Sequence, residues 1–247
     1  MTTAAIDALR SDHHALVGLA ATFTAEDWAA PSACDGWSVQ DLLGHMTQLF
    51  RLVTDPGSLP EADPRGTERT QDRYVEALRG LPAAQLLDDY RTVGDEAITA
   101  LAGIQEIDAP MDLGDLGTHP MHLTANAFAF DHYTHIRVDL LAPTGPLGRP
   151  APVTTDAHLD AAADWILAAL PQMSPDAVVA PIELVLTGPA GRTTHLGPDG
   201  DPVATVTSSI DDLVRWSTGR AWWTDLDVTV SGDEVAGKHF CESVHVA

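Results

Sequence analysis

The first half of the chain has the spacing of apolar residues that is typical of amphipathic helices. Apolar positions recur every three or four residues over 6–23 and over 38–52. The same spacing continues over 70–101, with one Gly/Pro interruption, and over 120–141, where a proline occupies the first turn. A Gly-rich loop, 110–118, precedes this last segment. Four helical segments with short or medium connections predict an antiparallel four-helix bundle.

The pattern changes after this half. Residues 142–150 contain three prolines and two glycines, a density that cannot continue a helix and predicts an interdomain linker. An amphipathic helix over 156–170 follows, and then short alternating segments separated by turn residues. The predicted strands are 181–187, 193–196, 203–207 and 226–230, with helices at 210–217 and at the end of the chain. The sequence therefore predicts two domains, a bundle over 1–145 and a small α+β domain over 151–247.

The charge of the chain is unusual for a protein of ordinary composition. Apolar residues make up 45% of its 247 residues, enough for a sizeable core in each domain. Thirteen Lys and Arg against 36 Asp and Glu give a formal net charge of −23. Such a surface repels nucleic-acid phosphates and anionic membranes, so neither is an expected partner. A small molecule is the expected ligand, and a monomer or a homodimer is the expected state.

The cysteines and the N-terminal residues indicate the cellular compartment in which the protein is expected. Cys34 and Cys241 stand far apart and follow no paired spacing for zinc or redox chemistry, so no disulfide framework is indicated. The first residues lack the basic and apolar regions of a signal peptide, and no apolar run is long enough to span a bilayer. The expectation is a cytoplasmic protein.

Three side chains of the predicted bundle favour a metal ion. Ser38 and Asp41 have the spacing of a capping box, and the helix that they start carries His45 on its second turn. Asp131 and His135 lie four residues apart in the last segment and share one helix face. If the two helices face each other, two imidazoles and one carboxylate provide three ligands and leave positions open for water or substrate. This constellation predicts a metalloenzyme.

Each of these residues also has a structural interpretation. His45 alone could be a satisfied core histidine, and Asp131 with His135 could be a solvated helical pair. His132 competes with Asp131, but it lies about 100° away around a helix. Asp139, four residues beyond His135, could orient that imidazole, or it could pair with the neighbouring Arg137 or with solvent.

Further side chains have open roles. Trp37 is expected in the core, where it packs the turn that aims the first histidine. His119 and His122 begin the last helical segment; they could approach the mouth of the site, but the favoured expectation is that they are exposed. Arg220 ends a predicted helix, where a cation is favoured in any case, and it could also hold a substrate carboxylate. Arg73 is a weaker candidate for the same role.

The motifs resemble those of a known family. Residues 34–45, with the pattern Cys-x-Gly-Trp-Ser-Val-x-Asp-Leu-Leu-x-His, resemble the turn and second helix of the mycothiol-dependent maleylpyruvate isomerases, which belong to the DinB-like metal-binding bundles. Asp131 and His135 resemble the second motif, which is normally Glu-x-x-x-His. Residues 216–220 and 228–233 resemble the Gly-Arg and Gly-Asp signatures of the sterol-carrier-like C-terminal domain of that family. The resemblance covers nearly the whole chain.

The resemblance implies a divalent metal, usually zinc, held by His45, Asp131 and His135. Aspartate stands where the family has glutamate, and its shorter side chain implies a metal closer to the fourth helix or more weakly held. In relatives the metal binds and deprotonates a low-molecular-weight thiol such as mycothiol, and the thiolate attacks an electrophile. In an isomerase the thiolate adds to a conjugated double bond, rotation follows, and elimination restores the alkene. Cys34 could be a nucleophile, but the resemblance implies a structural role for it.

Three functions remain open on the sequence. The first is a thiol-dependent isomerase or thiol S-transferase that acts on a small electrophile. The second is an enzyme on the same scaffold with other chemistry, which uses the metal as a Lewis acid or lacks a metal. The third is a non-catalytic protein that binds an apolar ligand between the two domains. A measurement of metal content distinguishes the binding protein from the thiol-dependent enzyme. Dependence of turnover on an added thiol distinguishes the thiol-dependent enzyme from an enzyme with other chemistry.

Overall fold

In the computed structural model, which describes residues 3–246, the N-terminal part is a helical bundle. Its helices are α1 (Thr3–Ala20), α2 (Ala25–Ala29), α3 (Val39–Thr54), α4 (Thr67–Glu76), α5 (Ala83–Gly103) and α6 (Thr124–Thr134). The long helices α1, α3, α5 and α6 pack on one another around a shared apolar core, while α4 lies against α3. The predicted four-helix bundle is confirmed.

Helix α3 begins where the capping box predicted. The side chain of Ser38 accepts a hydrogen bond from the Asp41 amide, and the Asp41 carboxylate accepts one from the Ser38 amide. Its apolar positions Leu42, Met46 and Phe50 recur every four residues and are at most 1% exposed. The helix therefore presents one fixed face to the core, and that fixes the direction of its other side chains.

The fourth predicted helix is more complex than the spacing indicated. Pro120 does not start a helix; it ends a strand, β2 (Thr118–Pro120), which pairs antiparallel with β1 (Pro110–Asp112). A single 3₁₀ turn then leads into α6, and six π-helical residues, His135–Leu140, follow α6. The predictions of a loop over 110–118 and of one continuous helix from Pro120 were therefore wrong. The hairpin pairing depends on backbone contacts that residue spacing does not encode.

The Pro/Gly-rich segment also differs from the prediction of a plain linker. It contains two short paired strands, β3 (Leu141–Ala142) and β4 (Leu147–Pro150). Leu141 and Leu147 are 0% and 4% exposed and belong to the core of the bundle. Their burial anchors the segment to the bundle. The division into domains 1–145 and 151–247 stays a prediction.

The C-terminal part is the predicted small α+β domain. Its elements are α7 (Asp156–Met173), β5 (Ile182–Thr187), β6 (Arg192–Leu196), β7 (Ala204–Ser209), α8 (Ile210–Ser217), β8 (Thr229–Gly232) and α9 (Glu234–Ser243). The sheet has the order β6-β5-β7-β8, in which β5 and β7 run parallel and the outer pairs are antiparallel. Alternate residues of β5 and β7 are buried, as the period-two pattern predicted.

Helix α6 takes part in both cores. Phe130 and Tyr133 pack in the C-terminal core beside Trp165 of α7, while Phe128 and Ala129 pack in the core of the bundle. Helix α7 lies against both α1 and α6. The helix that carries Asp131 is therefore held from both sides. Within residues 3–246, no helix is long and apolar enough to cross a membrane.

A buried ion pair adds to this junction. Arg137 donates two hydrogen bonds of 2.8 Å to the two carboxylate oxygens of Asp12, and His158 Nε2 lies 3.1 Å from the same carboxylate. Burial raises the pKa of Asp12, but the hydrogen bonds and charges of His158 and Arg137 outweigh burial and lower that pKa below its ordinary value. The cluster links α1, the π-helical residues and α7.

Candidate metal centre

Three residues predicted as ligands converge between α3 and the end of α6. Asp131 Oδ1 lies 3.0 Å from His45 Nε2 and 3.3 Å from His135 Nε2. One ligand atom from each residue lies within 4.8 Å of the others. The two imidazole rings meet edge to face at a centroid distance of 4.9 Å. The structure therefore brings His45 together with Asp131 and His135, which the sequence could only place on a different helix.

The outer nitrogen of each imidazole is held by an oxygen atom. His45 Nδ1 lies 3.2 Å from Gln71 Oε1, and His135 Nδ1 lies 2.7 Å from Asp139 Oδ2. Amide and carboxylate oxygens accept hydrogen bonds, so Nδ1 can donate outward in both rings. Both Nε2 atoms lie within hydrogen-bond reach of Asp131 Oδ1. As neutral imidazoles with Nδ1 protonated, the two rings would offer their Nε2 lone pairs to a metal ion beside this carboxylate.

The second oxygen of Asp131 gives the same indication. Oδ2 is buried and has no hydrogen-bond partner among residues 3–246. A buried carboxylate oxygen without a partner is uncommon in proteins, since it has lost water without replacing it. Two imidazole nitrogens and a carboxylate form a donor set that zinc and similar divalent ions accept. The residues present fit a metal ion.

The electrostatics agree with a positive charge at this point. Burial raises the pKa of Asp131, but His135 and His45 outweigh burial and hold that pKa well below its usual range. Burial lowers the pKa of His135, whereas the carboxylates of Asp131 and Asp139 raise it well above its usual range. Asp131 is thus kept ionised by the positive charge of its histidine partners, and a bound divalent cation would take over that role.

Asp139 joins the bundle to the C-terminal domain. Its carboxylate accepts from His135 and forms a two-point ion pair with Arg220, with 2.7 Å from Nε to Oδ1 and 2.6 Å from Nη2 to Oδ2. Of the partners considered for Asp139, His135 is thus the observed one, since Arg137 pairs with Asp12 instead. Burial raises the pKa of Asp139, but His135 and Arg220 hold it well below its ordinary value.

Cys34 lies in the same cluster. Its Sγ is 3.3 Å from Asp139 Oδ2, 3.8 Å from His135 Nδ1 and 3.9 Å from Arg220 Nη2. The thiol therefore contacts the residues behind His135 on its Nδ1 side, away from the Nε2 atom that faces Asp131. This position is compatible with the structural role expected for Cys34.

Helix α4 supplies two neighbours that the sequence did not indicate. Gln71 holds His45, and Asp72 accepts from the Trp37 indole nitrogen at 3.2 Å. The ring of Trp37 packs against that of His45 at a centroid distance of 5.1 Å, but it is only partly buried at the edge of the core, where a core position was expected. The sequence around these two polar residues does not indicate such contacts, because it predicts only a short amphipathic helix.

The other candidates lie outside the centre. His132 is fully buried against Phe50, with Nδ1 2.9 Å from the Phe128 carbonyl, and burial lowers its pKa to about 4. Arg73 pairs with Asp63 at 3.0 Å, outside the cluster of His45, Asp131 and His135.

The two histidines expected at the surface are not exposed. His119 is 2% exposed, lies 2.8 Å from the Leu116 carbonyl and packs on Trp165. His122 is only partly exposed, with 24% of its side-chain surface accessible and Asp108 3.6 Å away. The expectation was wrong because Trp165 of α7 covers His119 and Asp108 lies beside His122, and neither neighbour is close in sequence.

Comparison with known proteins identifies the family of the chain. Residues 9–140 match the model of the mycothiol maleylpyruvate isomerase N-terminal domain. The chain belongs to this family. An uncharacterized protein of Mycobacterium tuberculosis, found in two strains, is 26% identical over 244 residues, which span 92% of this chain and 89% of the relative.

Solved structures of the family have the same fold. A crystal structure of the mycothiol-dependent maleylpyruvate isomerase superposes with a TM-score of 0.62 at 18% identity and covers 94% of this chain and 93% of the other. A histidine-to-alanine mutant of that enzyme gives a TM-score of 0.60 at 17% identity, with the same coverage. The likeness of fold therefore extends over the bundle and the α+β domain, and together with the family match it confirms the family that the motifs indicated.

Proposed function

We propose that the protein is a metal-dependent enzyme of the maleylpyruvate isomerase type. It would use a low-molecular-weight thiol such as mycothiol to isomerise a small electrophile or to form a thioether with it. Family membership supports a maleylpyruvate-isomerase-like protein. We infer the metal requirement from the position of Asp131 Oδ1, which lies between the Nε2 atoms of His45 and His135.

His45, Asp131 and His135 would hold the ion, and zinc suits this donor set best. When bound there, zinc would favour the thiolate over the thiol at neutral pH. The chain itself orients the ligands, because Gln71 and Asp139 fix the two imidazole rings with Nε2 inward. Such support of a ligand ring is worth roughly 10–100-fold in metal affinity or activity.

Arg220 is the charged residue that the C-terminal domain contributes. Its Nε and Nη2 are engaged with Asp139, and 23% of its side chain is accessible. We propose that it stabilises the support of His135 and presents positive charge to an anionic substrate or to an enolate that develops from it. Since this role joins the domains, both would be needed for activity.

The proposed thiol chemistry also suggests the cellular compartment in which the enzyme acts. Cys34 and Cys241 are both free thiols in the structure. Free thiols and a thiol cosubstrate suit a reducing environment, and we propose that the enzyme acts in the cytoplasm.

Turnover of maleylpyruvate with mycothiol as the added thiol tests this proposal. The expected result is activity that requires both bound metal and thiol and that falls to background in His45→Ala. His195→Ala is the matched control, since this exposed histidine lies beside Glu183 on the sheet and outside the centre. Metal-dependent turnover without thiol would favour other chemistry on the same scaffold, and a chain without bound metal or turnover would favour a binding protein.

A further inference from the structure

A second cluster of potential ligands lies between α1 and α5. His13 and His14 are consecutive residues of α1, and Asp95 belongs to α5. Asp95 Oδ1 is 3.7 Å from His13 Nδ1 and 3.6 Å from His14 Nε2. One ligand atom from each of the three residues lies within 4.8 Å of the others. None of these residues belongs to the candidate metal centre.

The orientation of the His13 ring leaves a lone pair in this cluster. His13 is 0% exposed, and its Nε2 lies 3.2 Å from the Tyr90 carbonyl oxygen. Since that oxygen only accepts, Nε2 carries the proton, and Nδ1 of the neutral ring bears the lone pair. Nδ1 is buried and has no hydrogen-bond partner in the part of the chain that the structure describes. The lone pair therefore faces the Asp95 carboxylate without a proton between them.

The distances suit a metal ion shared by the three side chains. Bonds of about 2.0–2.1 Å in a tetrahedral site separate two ligand atoms by about 3.4 Å. The observed separations of 3.6 and 3.7 Å are close to that value. The side chains of His14 and Asp95 are 63% and 60% exposed, so they can adjust and an ion can reach them from solvent. Only His13 is fixed in the core.

Helix α5 can approach His13 closely because it has a glycine, Gly94, at the point of contact. A Cβ atom on Gly94 would lie 2.3 Å from His13 Nε2, so glycine is required for the observed approach. The next residue along the helix is Asp95. The close contact of the two helices therefore places the carboxylate within reach of both histidines.

We propose that His13, His14 and Asp95 form a second divalent-metal site, which takes zinc and clamps α1 to α5. Two imidazoles and one carboxylate are ligands that zinc accepts, and the exposed side leaves a position open for water. Because the site joins two helices of the bundle, metal binding would stabilise the folded chain.

Calorimetric titration with Zn²⁺ alone tests the site, with metal-stripped wild type compared with His14→Ala and Asp95→Asn. Both changes affect exposed side chains and leave the core intact. Wild type is expected to bind about one Zn²⁺ more than either variant, whatever the candidate metal centre binds. His195→Ala is the control, because this histidine is 62% exposed beside a carboxylate but belongs to no three-residue cluster within residues 3–246.

Thermal unfolding of His45→Ala gives a second readout, since this change disables the candidate metal centre. Zn²⁺ at about a hundred times its Kd should raise the Tm of this variant by roughly 5–10 °C, and the rise should vanish in His14→Ala/His45→Ala. Unchanged stoichiometry and affinity in His14→Ala would overturn the proposal. An equal loss of Zn²⁺ in His195→Ala would also overturn it, because the binding would then be a general property of exposed histidines.

Discussion

Arg220 and Asp139 form a two-point ion pair between residues 81 positions apart, with nitrogen–oxygen distances of 2.6 and 2.7 Å. Asp139 also accepts from His135 Nδ1, so the C-terminal domain reaches the candidate metal centre through one carboxylate. We propose that Asp139 positions His135 through these contacts.

Replacing Asp139 by asparagine should weaken metal binding without removing a ligand. The amide keeps the size of the carboxylate but loses the charge that holds His135 Nδ1–H and Arg220. The Kd for Zn²⁺, measured by chelator competition, should rise roughly 10–100-fold. Asp199→Asn, on the exposed loop between β6 and β7, is the control. A Kd equal to that of wild type would show that Asp139 has no part in metal binding.

Asp131→Glu should keep the metal, and Asp131→Asn should not. Glutamate retains the charge and is the residue that the family motif normally carries at this position. Asparagine retains the length but removes the charge that balances a cation between the two imidazoles. Metal content after dialysis, measured by mass spectrometry, distinguishes them. Loss of metal from Asp131→Glu together with retention in Asp131→Asn would contradict a carboxylate ligand.

Cys34 and His135 should differ strongly in their effect on turnover. His135→Ala removes a ligand and should lower kcat by more than the roughly 10–100-fold that loss of a supporting residue costs. Cys34→Ser should retain most activity, because Cys34 Sγ contacts Asp139 and Arg220 behind the ring. Steady-state rates with maleylpyruvate and mycothiol compare the two. A folded, metal-loaded Cys34→Ser variant without activity would place the nucleophile in the protein.

The buried pair of Asp12 and Arg137 should make stability depend on pH. The pKa of Asp12 is lower in the folded chain than its ordinary value of 3.8, so its contribution is fully present above that value. The contribution is lost as pH falls through the folded pKa. At pH 7, Asp12→Asn should lower the free energy of unfolding by about 3–5 kcal/mol, because it leaves the buried charge of Arg137 without the carboxylate that balances it. Urea unfolding at pH 7 and pH 3 checks this, and an equal difference at both pH values would contradict it.

Local patterns predicted the candidate ligands, whereas the residues that surround them depend on contacts between distant parts of the sequence. The capping box placed His45, and the four-residue spacing placed Asp131 and His135 on one face, because both signals lie within a single helix. The partners Gln71 and Arg220 come from elements far away in sequence. No spacing rule joins them to these histidines, since their approach depends on how the helices and domains pack.

The errors have the same origin. Pro120 has the features of a first-turn proline, but it lies in a strand and pairs with Pro110, ten positions earlier. His119 is polar and begins a helical pattern, but Trp165 of α7 covers it. The π-helical residues after α6 have no periodic signature of their own, although such turns occur often at functional sites.

Metal content of protein purified without added metal is the most direct test of the candidate centre. The comparison is best made in a His14→Ala background, so that only the candidate centre of His45, Asp131 and His135 is counted. About one equivalent of tightly bound divalent metal is expected, and His45→Ala should remove nearly all of it, because two remaining ligands rarely hold such an ion. His195→Ala should keep the full amount. Unchanged metal content in His45→Ala would contradict the assignment.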